Sequence, residues 1–232
     1  MIKGRRGGSA VGGALAVLML LTAAGCGGSS PALPLGSVAD SGFRPPANGL
    51  PFQNYGGQLS DGGVPVNLTA ADVQKLFGDQ VCADAQLRRC DLIPEAQAWL
   101  TDTNEAMSGG HCYGFSVLSE LLWLGQEQAS SFGAPATTAL QVDSNQTLQR
   151  QIAYDWALQT LESVQAQRVT GTPNQILAKL EQVLKPHPAQ TYTLTFWKRD
   201  GSGGHAVTPY EVVNKGGGMF QVRIYDNNWP DD

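Results

Sequence analysis

The feature that most constrains this sequence is a change of periodicity near Thr191. Before it, apolar residues recur at spacings of three and four, the signature of helices buried on one face. After it, apolar and β-branched residues alternate between glycine-rich turns, the signature of strands. Helices first and a run of adjacent strands last predict an α+β domain with an antiparallel β-meander.

The helical part has readable punctuation. Thr69 is a predicted N-cap for a helix through Val73, Leu76 and Phe77, and Pro94 opens another through Trp99 and Leu100. A helix is predicted after Cys112, carrying Phe115, Leu118, Leu121 and Leu122 on one side. Another fits Leu148, Ile152, Trp156, Leu161 and Val164. A further helix has Thr172 as cap, Pro173 in its first turn, Ile176, Leu177, Leu180, Val183 and Leu184 facing inward, and Pro186 as its stop. Strands are expected over Thr191–Trp197, His205–Val213 and Met219–Tyr225, with turns at 200–204 and 216–218. Residues 26–65, rich in Gly, Pro and Ser, read as a flexible tether and irregular wrap, so the domain proper is placed at 66–232.

The first 25 of the 232 residues read as a targeting segment. Lys3, Arg5 and Arg6 precede an apolar run from Ala14 to Leu21, shorter than the ~20 residues a spanning helix needs. Ala23-Ala24-Gly25-Cys26 then resembles the lipobox of bacterial lipoproteins, which implies lipidation at Cys26 and anchoring on the extracytoplasmic face of the cell membrane. Gly27 to Ser30 would serve as the tether. Removing the leader leaves 12 Lys and Arg against 20 Asp and Glu. With no basic stripe, nucleic acid is not an expected partner.

Four cysteines divide cleanly. Cys26 is assigned to lipid. Cys82 and Cys90, eight residues apart, are expected to form a local disulfide in an oxidising compartment. Closing so short a loop stabilises by ~2–3 kcal/mol on the loop-entropy account. Cys112 is left as a lone thiol.

A cysteine attacks as its thiolate, which a helix N-terminus or a neighbouring imidazole favours. Cys112 has the first by position, because Gly109 and Gly110 precede it and a helical pattern follows at once; Gly114 permits close approach of another backbone or of a substrate. Three histidines are available as base. His111 adjoins Cys112 and would point away from it on a helix start, and His187 sits between prolines. His205 opens a strand after two glycines and is the candidate base. A base of this kind needs a third group to hold its tautomer. The hairpin after His205 returns at Asp226-Asn227-Asn228, so Asp226 or Asn227 is the expected orienting group.

Cys112 opening a helix, His205-Ala206-Val207 on a strand and Asn227-Asn228-Trp229 beyond it resemble the papain-type cysteine peptidases and their bacterial relatives, including exported proteins of uncharacterised function. The resemblance spans about 120 residues, Gly109 to Pro230, in three short islands. It implies a papain-like fold, Cys112 as nucleophile, His205 as base, and either Asp226 or Asn227 as the third member, with Asp226 favoured. The substrate it implies is a peptide or protein; no metal or other cofactor is expected. One position departs from the pattern: the glutamine that supplies an oxyanion-hole N–H six residues before the cysteine is Ala106 here, and Asn104 is the candidate in its place.

Two other readings compete with a peptidase. One is transglutaminase-like or cell-wall peptide acyl transfer on the same site, although enzymes of the NlpC type keep their histidine nearer than the 93 residues between Cys112 and His205. The other is a catalytically inactive surface-binding lipoprotein. Pro230-Asp231-Asp232 follows the site directly with no closing strand, so a C-terminally truncated fragment is one reading of the chain, in which strands completing the sheet or a further domain would be missing.

Overall fold

A computed structural model describes residues 34–84, 89–186, 188 and 190–230, all within one unit spanning 33–232. The leader, Cys26 and His187 lie outside the described residues.

Eleven regular elements are described, besides short 3₁₀ turns: β1 (Gly36–Asp40), α1 (Pro45–Asn48), α2 (Ala70–Phe77), α3 (Pro94–Ala106), α4 (Cys112–Trp123), α5 (Gln146–Ala157), α6 (Glu162–Gln165), α7 (Pro173–Val183), β2 (Leu194–Trp197), β3 (Gly204–Gly216) and β4 (Met219–Tyr225). The fold is α+β, helices followed by an antiparallel sheet. Thr69 stands at the N-cap of α2, where the Asp72 carboxylate accepts from its N–H at 2.8 Å and from its hydroxyl at 2.6 Å. Arg150 of α5 closes on the same carboxylate at 3.0 Å, tying the two helices.

Two expectations are corrected. Residues 36–40 are not irregular: β1 pairs antiparallel with β3, Gly36 opposite Asn214 and Asp40 opposite Glu211. The sheet therefore recruits a strand from the segment assigned to the wrap. That strand is five residues long, Gly36-Ser37-Val38-Ala39-Asp40, so its alternation is too short to register as a pattern. The helix predicted across Leu148–Val164 also breaks. Ala157 ends α5, a 3₁₀ turn covers Leu158–Thr160, and α6 starts anew at Glu162.

β3 is the centre of the sheet. Its first residues pair with β2, with Phe196 opposite His205, and its later residues pair with β1 and with β4, Thr208 opposite Tyr225. α4 packs between α5 and β3. Against α5 and the 50–59 segment it buries Phe115 and Leu118 completely, with Tyr55, Leu148 and Ile152; each such side chain removed from water is worth about 1.5–3 kcal/mol. Against β3 it sets Ser116, whose hydroxyl lies 3.0 Å from that of Thr208. A second cluster joins α2, α3 and α5 through Val73, Leu100, Met107 and Ala153, and Cys82 and Cys90 belong to it as a disulfide. α7 covers the sheet through Leu180 and Val212. Among the described residues no helix is long and apolar enough to cross a membrane.

Candidate active site

Helix α4 begins at Cys112 because the chain turns sharply just before it. Gly110 has φ +131°, a conformation an L side chain rarely adopts, so the turn requires glycine there; Gly109 has no such demand. The first N–H of the helix to close its ladder is that of Phe115, donating to the His111 carbonyl at 3.1 Å. The N–H groups of Cys112, Tyr113 and Gly114 precede it, and they give this end of the helix its partial positive charge. Gly114 serves packing: a Cβ there would lie 2.0 Å from the Ile152 carbonyl oxygen, so α5 backbone, not substrate, occupies the space beside it.

Three residues from distant parts of the chain meet at this helix end. His205 Nε2 lies 2.7 Å from Asp226 Oδ1, with the two side chains about 16% and 29% exposed. Asp226 thus takes Nε2 and leaves Nδ1 as the ring nitrogen free for Cys112. The hydrogen bond with Cys112 is the largest cause raising the His205 pKa, burial opposes it, and Asp226 adds to it through hydrogen bond and charge. Cys112 is a free thiol, partly exposed. The Asp226 carboxylate is itself held by the Asn228 N–H at 2.9 Å, and the Asn228 side-chain amide lies 3.4 Å from His205 Nε2. Phe196, opposite His205 in the β2–β3 pair, sets its ring edge-on at 5.6 Å from the imidazole.

Asp226 and Asn227, alternatives by sequence, have separate places. Asn227 does not reach the imidazole. It is completely buried, and its side-chain amide donates to the Cys112 carbonyl at 3.1 Å and to the Ala206 carbonyl at 2.8 Å. One side chain therefore fastens the start of α4 to the strand that carries His205.

Asn104 is used elsewhere. Its amide pairs head to tail with the Leu68 backbone, accepting from the N–H and donating to the carbonyl, each at 3.0 Å. The amide brought against the entry to α4 belongs instead to Asn54. Its Oδ1 accepts the His111 N–H at 2.8 Å and its Nδ2 donates to Asn228 Oδ1 at 3.0 Å. The 50–54 segment is laced to the end of β4 through the Tyr225 hydroxyl on the Leu50 carbonyl (3.0 Å) and the Asn54 N–H on the Asn227 carbonyl (2.7 Å). Asn54 and Asn228 had no local sequence signal beyond being turn-forming residues. Only the return of residues 50–54 across the helix entry gives them this role.

His111 supports the same entry from below. It is wholly buried against Tyr55, with ring centroids 4.5 Å apart, Nδ1 donating to the Tyr55 carbonyl at 2.8 Å and Nε2 2.9 Å from the Asn67 side chain. Burial lowers its pKa to about 4, so the ring is neutral at physiological pH and contributes no charge to Cys112. Among the described residues no group of three or more metal-ligating side chains converges. Comparisons with protein-family models, with curated proteins and with solved structures return no match to this chain.

Proposed function

We propose that this chain is a papain-like cysteine peptidase or amidase, exported and held at the cell membrane by a lipid on Cys26. The observation that carries the reading is the contact chain from the Cys112 thiol at a helix N-terminus to His205 and on to Asp226 at 2.7 Å.

In this mechanism His205 takes the thiol proton on Nδ1, and Asp226 stabilises the imidazolium through Nε2. The thiolate adds to a substrate carbonyl carbon. The resulting oxyanion is met by the Cys112 N–H at the helix start, a donor aimed by the fold before substrate arrives. His205 then returns the proton to the departing amine, the C–N bond breaks and a thioester to Cys112 remains. Water, deprotonated by His205, hydrolyses the thioester and regenerates the thiol. Asn227 positions the machinery without touching substrate, keeping α4 and β3 at a fixed separation.

An epoxysuccinyl peptide, a thiol-directed electrophile, tests the reading. The folded protein is expected to be labelled at Cys112 alone, because Cys82 and Cys90 are paired and Cys26 carries the lipid in this reading. His205→Ala is expected to slow labelling by roughly 10²–10⁴-fold, the range for losing a positioned base. A folded protein that does not react, or a His205→Ala variant that reacts as fast as the parent, overturns it.

A further inference from the structure

A cavity of about 480 Å³ runs along α4, from Tyr113 near its start to Leu124 and Gln126 past its end; Cys112, His205 and Asp226 adjoin it without lining it. Tyr113, the residue after Cys112, forms part of its wall. So does Thr195 of β2, whose next residue, Phe196, faces His205. The opposite walls are α7 and the segment after α6. The volume lies within the ~300–1,000 Å³ usual for ligand sites.

The charge of this cavity runs against that of the chain. Acidic residues outnumber basic ones by 20 to 15 over the whole sequence, yet the cavity is lined by Arg168 and Lys179 and, among the described residues, by no Asp or Glu. Much of its remaining polar lining is glutamine and threonine, including Gln159, Gln190 and Thr191. The Lys179 ammonium lies over the Tyr192 ring at 5.0 Å, a contact that orients it without neutralising it. Two carboxyl groups, Glu120 and Asp155, do act on Tyr113, but both are buried behind it and outside the cavity lining. Burial pushes Glu120 up to about 8 and Asp155 up to about 7, so neither cancels the cations fully at neutral pH.

We propose that this cavity receives the carboxylate of a glutamate or aspartate side chain in the peptide that Cys112 cleaves, making the site selective for acidic peptides. The proposal rests on the peptidase reading for its link to cleavage. Arg168 supplies a planar fork and Lys179 a point charge, the two complementary ways of holding a carboxylate.

The test uses the full chain carrying Cys112→Ala, so that binding is read without turnover. Blocked hexa-alanine peptides carry one Glu, walked through every position, and each has a Gln twin. At least one Glu peptide is expected to bind ten-fold or more tightly than its twin, and Arg168→Gln with Lys179→Gln is expected to erase that advantage. Both side chains are polar and line an open cavity, and a thermal melt of the double variant checks that it folds; Arg168→Glu, tested alone, should weaken the Glu peptide and spare its twin. The proposal is overturned if no Glu peptide exceeds its twin, or if the advantage survives the double variant. Epoxide labelling of the native Cys112 protein is measured alongside. Reactive Cys112 without acidic preference sinks the cavity assignment alone. Unreactive Cys112 with acidic preference intact sinks the peptidase reading and leaves an acidic-peptide binding site.

Discussion

Asn227 donates to the backbone carbonyl of Cys112 at 3.1 Å, and the same amide donates to Ala206, the neighbour of His205, at 2.8 Å. A single buried side chain thus sets the distance between the cysteine and the histidine. Asn227→Ala removes one donor from each of two carbonyls at a fully buried position, and losing a buried hydrogen-bond partner costs about 1–3 kcal/mol. The variant is expected to lose stability by that order in a urea titration and to slow epoxide labelling of Cys112 even at low denaturant. Lost stability with unchanged labelling would limit Asn227 to a packing role.

The charge state of His205 gives a second expectation. Its hydrogen bond with Cys112 and its pairing with Asp226 raise its pKa above the ordinary 6.5. A histidine raised on folding contributes stability that is fully present below its unfolded pKa and is lost as pH rises through its folded one. Asp226→Asn and Cys112→Ala should therefore each move the His205 NMR titration to lower pH. A His205 titration unmoved by Asp226→Asn would show that the 2.7 Å contact does not hold the imidazolium.

Close packing at Gly114 gives a third. Its hydrogen stands where a Cβ would meet the Ile152 carbonyl oxygen at 2.0 Å and the Trp156 nitrogen at 3.0 Å. These are backbone atoms of α5 and cannot rotate aside. Gly114→Ala must push the helices apart, and overpacking of this kind costs typically 1–3 kcal/mol, occasionally more. Because α4 also carries Cys112, the variant is expected to lose both thermal stability and Cys112 reactivity. An unshifted melting temperature would contradict the close helix crossing.

The elements that could be read from sequence were those whose signals are local. Thr172 and Pro173 mark the start of α7, and Thr172 forms its capping box with Gln175. The glycine turn at 216–218 places Asp226 back beside His205 through an ordinary hairpin. What escaped depends on chain crossings that no window of sequence contains. β1 is a strand only because β3 offers it an edge, and Asn54 meets the His111 N–H only because residues 50–54 pass over the entry to α4. Asp226 is favoured over Asn227 by chemistry alone, since a carboxylate can hold an imidazolium; adjacent residues leaving a strand point in different directions, and which one faces the imidazole is set by the twist of the hairpin. Asn104 had the right chemistry near the right residue, but α3 directs it to Leu68.

Glu120 carries the last prediction. It sits two turns along α4 from Tyr113, is only 5% exposed, and burial lifts its pKa from 4.5 to about 8, against a smaller opposing effect of a hydrogen bond with Thr191. Between those values the unfolded chain releases the proton while the folded chain retains it, so folding binds a proton and stability falls as pH rises. The slope for one proton is at most about 1.4 kcal/mol per pH unit. His111, lowered to about 4, acts with the opposite sign below pH 6.5, and Asp155, raised to about 7, acts with the same sign as Glu120. Comparing the parent with Glu120→Gln removes both, since each is common to the two proteins. The stability of Glu120→Gln relative to the parent is therefore expected to grow steadily from pH 5 to pH 8 in parallel urea titrations and to level off above that. A difference that stays flat across this range would mean that Glu120 is already ionised in the folded protein.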